Sequence, residues 1–287
     1  VRSLSPLTFF PAASLVALSG CATVHRGAGG YCAPPVMAAS AALVPDPPPA
    51  PGAPHEAQMA ALLGLGAVKV EGPGRTAEER ATAVERVELA TLILEATAAE
   101  LDCEGERAEQ AADYLSRGQS STVQSLTIGS IAAAAVTSIA GVLLSTSNRP
   151  SGEQDGVAIG GGVVTAGLGL GSLFVHSHAD FGHPRNLLTD VWQGPDTPAT
   201  YPAFVWGYLT RAEFSNDKRA PIREKIVARW KHFRQVEDRE SALLLFGRGG
   251  SYDADLLRTR AAMLDEVKAE VELEYQDLEA FAAAALR

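Results

Sequence analysis

Apolar residues recur at steps of three and four along most of the chain after residue 76, and that spacing predicts amphipathic helices. Thr76-Ala77-Glu78-Glu79 reads as a capping box, in which Thr76 and Glu79 satisfy the free amide donors of a helix start. Behind it runs a seven-residue seam: Val84, Val87, Thr91, Leu94, Ala98, Leu101, Gly105, Ala108, Ala112 and Leu115. The seam predicts one long helix over Thr76–Leu115 that packs within the chain, and its small residues after Leu101 let a partner helix come close. A second long helix is expected from near Ser251 almost to Arg287, striped by Leu257, Leu264, Val267, Val271, Tyr275, Leu278 and Phe281. It is long enough to lie against the first. Between them, Pro221 opens a helix carrying Ile222, Ile226, Trp230 and Phe233 on one face, which Gly247–Gly250 breaks. The stretch from Pro184 to Phe214 is punctuated by proline and rich in aromatics, among them Trp192, Tyr201, Phe204, Trp206 and Tyr208. Only short helical turns fit there, with the aromatics plugged against a core.

Two segments break the amphipathic pattern. No charged residue lies between Arg117 and Arg149, and none between Asp155 and Asp180. In the first, Gly129, Ala133, Thr137, Gly141 and Ser145 recur at every fourth position. In the second, Gly156, Gly160, Gly161, Thr165, Gly167, Gly169 and Gly171 give a similar spacing. Small residues four apart share one helix face and let two backbones approach closely. Each glycine weakens an isolated helix in water by about 1 kcal/mol relative to alanine, so packing must compensate. With a polar turn over Ser147–Gly156, the unit reads as an antiparallel hairpin over about 120–178. It resembles the glycine-zipper hairpins of some bacterial envelope proteins. Its turn holds Arg149 against Glu153 and Asp155, while Arg107, Arg117 and Arg185 lie outside it. That charge placement opposes a crossing of the inner membrane from the periplasmic side. Two readings remain open: a hairpin buried in protein or in an oligomer, and a hairpin inserted in lipid.

The fold class expected is therefore all-α: long antiparallel helices with a Gly/Ala-rich hydrophobic hairpin, preceded by a disordered, Pro-rich stalk. The stalk is expected over 21–55, densest in proline from Pro45 to Pro54, where consecutive prolines favour extended polyproline II. A single helical body is expected over 56–287. Sparse aromatics and heavy use of Ala and Gly agree with closely packed helices. The net charge of -10, with no run of Lys and Arg, excludes an electrostatic footprint for nucleic acid or anionic lipid.

Residues 1–20 read as a signal peptide, with Arg2 as its positive end and Leu7–Leu18 as its apolar run. The run ends in Leu18-Ser19-Gly20-Cys21, which resembles the lipobox of bacterial lipoproteins. The resemblance covers the leader alone. It implies cleavage before Cys21, a diacylglyceryl group and further acylation on that cysteine, and attachment to a membrane by several acyl chains. Ala22 in place of aspartate resembles the outer-membrane class, which implies an outer-membrane lipoprotein facing the periplasm. In that oxidising compartment Cys32 and Cys103 are either a disulfide that pins the stalk to the body or two unrelated thiols.

One further motif invites chemistry. His176, His178, Asp180 and His183 resemble the His-x-His-x-Asp-His metal motif of the metallo-β-lactamase family. Phe181 stands where that family has histidine, and His183 comes two positions late. The later histidine ligands of the family have only His232 as a counterpart. No nucleophile–base arrangement, phosphate loop or nucleotide fingerprint is present, so no catalytic residue and no cofactor is assigned. Three functions follow in order: an envelope-anchored structural or interaction lipoprotein, a membrane-inserting or pore-forming component acting through 120–178, and a metal-dependent hydrolase. The partners expected are the membrane through Cys21 and a second copy or another envelope protein.

Overall fold

The computed structural model describes residues 32, 43–66, 76–146 and 177–285, with backbone alone at 122–123, 125–146 and 285. These residues are mainly helical. In chain order they form α1 (His55–Leu62), α2 (Ala77–Thr146), β1 (Ala179–Gly182), α3 (Leu187–Gln193), α4 (Ala203–Thr210), α5 (Ile222–His232), α6 (Arg239–Phe246), β2 (Gly249–Tyr252) and α7 (Ala254–Ala285).

The spine of the body is the antiparallel pair of α2 and α7. The cap of α2 forms as its sequence dictates: Thr76 N donates to Glu79 Oε2 at 2.8 Å, and Glu79 N donates to Thr76 Oγ1 at 3.1 Å. Along the seam Leu94, Ala98, Leu101, Ala108, Ala112 and Leu115 are buried, facing Leu257, Leu264, Val267, Val271, Leu278 and Phe281 of α7. Val84 departs from the seam: it is exposed, and Ala83 takes the buried position. At the middle of the pair, a methyl group built on Gly105 would sit 3.7–3.9 Å from Asp265, Ala261 and Leu264. Polar contacts fix the register. Arg258 donates to Ser116 Oγ at 2.5 Å, Lys268 pairs with Asp102, and Tyr275 OH lies 3.5 Å from the carbonyl of Thr91.

The structure differs from the sequence expectations in four places. First, the helix expected over Thr76–Leu115 and the first arm of the hairpin are one continuous element, the 70-residue α2. No proline interrupts 76–146, so nothing in the backbone ends the helix where the charged pattern stops. Second, the body is not wholly α-helical. Strands β1 and β2 pair antiparallel in the register Ala179↔Tyr252 to Gly182↔Gly249. Gly249 permits this with φ +97, because a side chain there would collide with the carbonyl of Phe181. Third, the body begins before residue 56. Leu43 is fully buried, Asp46 N donates to Ala61 O at 2.8 Å, Gly66 N donates to Asp46 Oδ2 at 2.8 Å, and Arg211 donates to Asp46 O at 3.1 Å. The proline-rich segment from 43 to 54 is thus held on the body rather than serving as stalk. Fourth, the helix opened by Pro221 stops at His232. Arg234 takes the left-handed conformation (φ 54), Gln235 N closes onto Trp230 O at 2.9 Å, and Asp238 caps α6 through Ser241 at 2.8 Å. Phe233 is left 66% exposed instead of sharing the buried face of Ile222, Ile226 and Trp230.

The aromatics expected as a plug fill the core against the spine. Trp192 stacks on Phe246 with ring centroids 4.4 Å apart, and Tyr201 stacks on Trp206 at 5.7 Å. Asn186 both caps α3 and donates to the carbonyls of Leu245 and Gly247. The fully buried Arg260 of α7 reaches the same Leu245 carbonyl at 3.1 Å. That polar hub ties α3, α6 and α7 together where the strands end.

Candidate functional site

On one side of the spine a cleft of about 520 Å³ opens between α1, α4, α5, α7 and the loop that follows α4. His55, the first residue of α1, and Asp277 of α7 face each other across it, with His55 Nε2 3.3 Å from Asp277 Oδ1. At that distance the contact falls short of a well-formed hydrogen bond and becomes an ion pair when the imidazole is protonated. Tyr208, at the end of α4, donates to the other carboxylate oxygen of Asp277 at 3.1 Å. Phe214 supports the arrangement edge-on to His55 at 5.6 Å. The Asp277 carboxylate raises the His55 pKa above its ordinary value, against the opposing effect of burial. Burial and then Asp277 push the Tyr208 phenol well up, so Tyr208 acts as a donor and not as a phenolate. One turn before Asp277, Glu274 is fully buried with no hydrogen-bond partner for either oxygen among the described residues, and burial raises its pKa well above the carboxylate range.

The opposite wall of the cleft is cationic. Lys218 projects from the loop with φ 53, a left-handed conformation that costs a non-glycine residue about 1 kcal/mol or more. The loop holds it there through Asp217, which accepts from Ser215 Oγ at 3.1 Å and from Arg219 N at 3.0 Å. Asp217 also pairs with Lys225 at 2.8 Å, and that lysine, followed by the Arg219 amide, holds its pKa below the usual range. Arg229 of α5 stands 3.9 Å from Glu270 of α7, a separation too long for a hydrogen bond. None of these cleft residues was singled out by the sequence as a site candidate, and Tyr208 was read only as one of the core aromatics. His55 directly after Pro54 at a helix start was a weak cue, and its partner lies more than two hundred positions away.

The residues that the sequence did single out lie elsewhere. Cys32 and Cys103 are joined by a disulfide with their Cα atoms 5.6 Å apart, which fastens the chain before Leu43 to the middle of α2. Gly129, Ala133 and Gly141 lie on α2 beyond the part paired with α7. Cys21, Gly160, Gly167, Gly171 and His176 lie outside the described residues. The other members of the histidine-rich motif do not converge. The alternation of β1 exposes His178 and Asp180 on one face and sends His183 to the other, where it is fully buried. His183 contacts the Tyr252 hydroxyl at 2.9 Å, and Arg107 stacks over Phe181 at 4.1 Å. Among the residues whose side chains are described, no group of three or more His, Cys, Asp or Glu is placed to hold a metal ion, and no helix is long and apolar enough to cross a membrane.

Neither a family model, nor a curated protein, nor a solved structure matches the chain.

Proposed function

We propose that the protein is an envelope-anchored structural or interaction lipoprotein, tethered through Cys21 and assembling through the segment 120–178. The observation that carries this reading is the continuity of α2. Its hydrogen bonds with α7 run from Thr91 to Ser116, and the helix then continues to Thr146. At 1.5 Å per residue the continuation is about 45 Å long. After Arg117 its sequence has no charge and repeats Gly129, Ala133, Thr137, Gly141 and Ser145 on one face. A rigid rod rooted in a folded body and tipped with a small-residue face suits docking against a like helix, either of a second copy or of another envelope protein. The Cys32–Cys103 bridge and the Leu43–Gly66 clamp support the tether, because they fasten the segment downstream of Cys21 to that body.

The competing reading is insertion of the same segment into lipid. The charge-free stretch between Arg117 and Arg149 favours it, being longer than the about 20 residues a bilayer core needs. Cell fractionation and cross-linking of a Cys21→Ser variant separate the two. The assembly reading expects membrane-bound wild type, release of the variant on carbonate extraction, and cross-linked multimers in both. A variant that stays in carbonate-washed membranes establishes insertion instead. Wild type that carries no acyl chain sinks the lipoprotein reading altogether.

A further inference from the structure

We propose that the cleft between His55, Arg229 and Asp277 binds a small zwitterion, an amino acid or short peptide with both termini free. Its volume of about 520 Å³ falls within the usual range for small-molecule sites. Its two walls carry opposite charge. From α7, Glu270 and Asp277 present carboxylates; from the loop and α5, Lys218, Lys225 and Arg229 present cations, which outnumber the Glu213 carboxylate on that side. A simple anion would meet the α7 carboxylates, and a simple cation would meet the lysine and arginine. A molecule with an ammonium at one end and a carboxylate at the other satisfies both.

Asp277 already holds Tyr208 and His55, but other charged groups of the cleft are loosely partnered. Lys225 is occupied by Asp217, but the ammonium of Lys218 makes no hydrogen bond or ion pair among the described residues. Arg229 and Glu270 stand 3.9 Å apart, so each can exchange a loose partner for a hydrogen-bonded one. Tyr208 fixes one oxygen of Asp277, which orients the carboxylate toward the cleft mouth that His55 shares. The bound form places the ligand ammonium between Asp277 and Glu270 and its carboxylate between Lys218 and Arg229. The mouth accepts a side chain against Leu273, which is 45% exposed.

The test is isothermal titration calorimetry of the full chain with alanyl-alanine, N-acetyl-alanyl-alanine, alanyl-alanine amide and acetate. Binding of alanyl-alanine is expected, with each blocked form weaker by about ten-fold or more, the loss of one charge-assisted contact. Arg229→Gln and Lys218→Ala, both at solvent-facing positions, are expected to weaken alanyl-alanine by a similar factor at unchanged melting temperature. Asp277→Asn should weaken it further and also affect folding, so the first two variants decide. Absence of binding heat, equal binding of the blocked dipeptides, acetate binding as tightly as alanyl-alanine, or variants that bind like wild type would each overturn the proposal.

Discussion

His183, the residue after β1, points inward and donates from Nε2 to the hydroxyl of Tyr252 on β2, 2.9 Å away. The direction follows from Tyr252, whose single proton goes to the carbonyl of Leu244 at 2.6 Å, leaving its oxygen as acceptor. Burial, and after it the charges of Arg260 and Arg107, lower the His183 pKa to about 3 from 6.5. The folded protein therefore keeps this imidazole neutral where the unfolded chain would protonate it. The stability it supports is complete above pH 6.5 and is lost as pH falls toward 3. Urea denaturation of wild type and His183→Leu at several pH values measures this. At pH 7.5 the variant should be less stable by about 1 kcal/mol, the value of the lost hydrogen bond. The deficit should shrink or reverse by pH 5. A deficit independent of pH would mean that His183 does not titrate differently on folding.

Glu274 has the opposite linkage. Burial and then Asp277 raise its pKa well above 4.5, so the folded state holds a proton that the unfolded state releases. The stability tied to that proton is complete below pH 4.5 and declines as pH rises. Glu274→Met replaces an unpartnered buried carboxyl with an apolar side chain of similar size. The variant should be more stable than wild type at pH 7, with an advantage that widens from pH 5 to pH 8. Wild type equal to or above the variant at pH 8 would place a compensating partner on Glu274.

Two glycines differ in what they permit, although both sit in packed elements. Gly105 faces α7 with room for a methyl group in ordinary contact, so Gly105→Ala should gain about 1 kcal/mol of helix propensity without strain. Gly249 combines φ +97 with the Phe181 carbonyl where its Cβ would lie. Gly249→Ala should cost about 2–4 kcal/mol, from backbone strain together with overpacking. Thermal melts of the two variants should move in opposite directions. A loss at Gly105 would show that α2 and α7 pack there more tightly than van der Waals contact.

The spine was legible in the sequence because its determinants are local. The Thr76–Glu79 cap, the seam from Leu94 to Leu115 and the stripe from Leu257 to Phe281 each lie within a few turns of one helix. The end of α2 was not legible, because the change from charged to small residues after Arg117 resembles a boundary yet contains no backbone breaker. The β1–β2 pair was missed because strands of four residues carry almost no period, and their pairing spans about seventy positions. The histidine-rich motif stayed a weak candidate in the sequence because spacing alone does not tell strand from loop. Alternation on β1 separates His183 from His178 and Asp180. The cleft was invisible because His55, Tyr208, Arg229 and Asp277 meet only after four distant segments have packed.

The disulfide between Cys32 and Cys103 closes a sequence separation of 71 residues. In the chain-entropy model a loop of this size is worth about 4 kcal/mol, because it restricts the unfolded chain. Cys103→Ala should lower the free energy of unfolding by up to that amount, and wild type under reductant should match the variant. The difference tests more than stability. With the bridge intact, the proposed lipid on Cys21 is joined to the middle of α2 by the short segment ending at Cys32, which reaches at most about 40 Å when extended. Without it, the first attachment among the described residues becomes Leu43 and its neighbours, and the reach to that point about doubles. Protease access to the segment before Leu43 should rise in Cys103→Ala while the Ala77–Ser116 spine stays protected. Equal cleavage with and without the bridge would show that Cys32 does not restrain the tether.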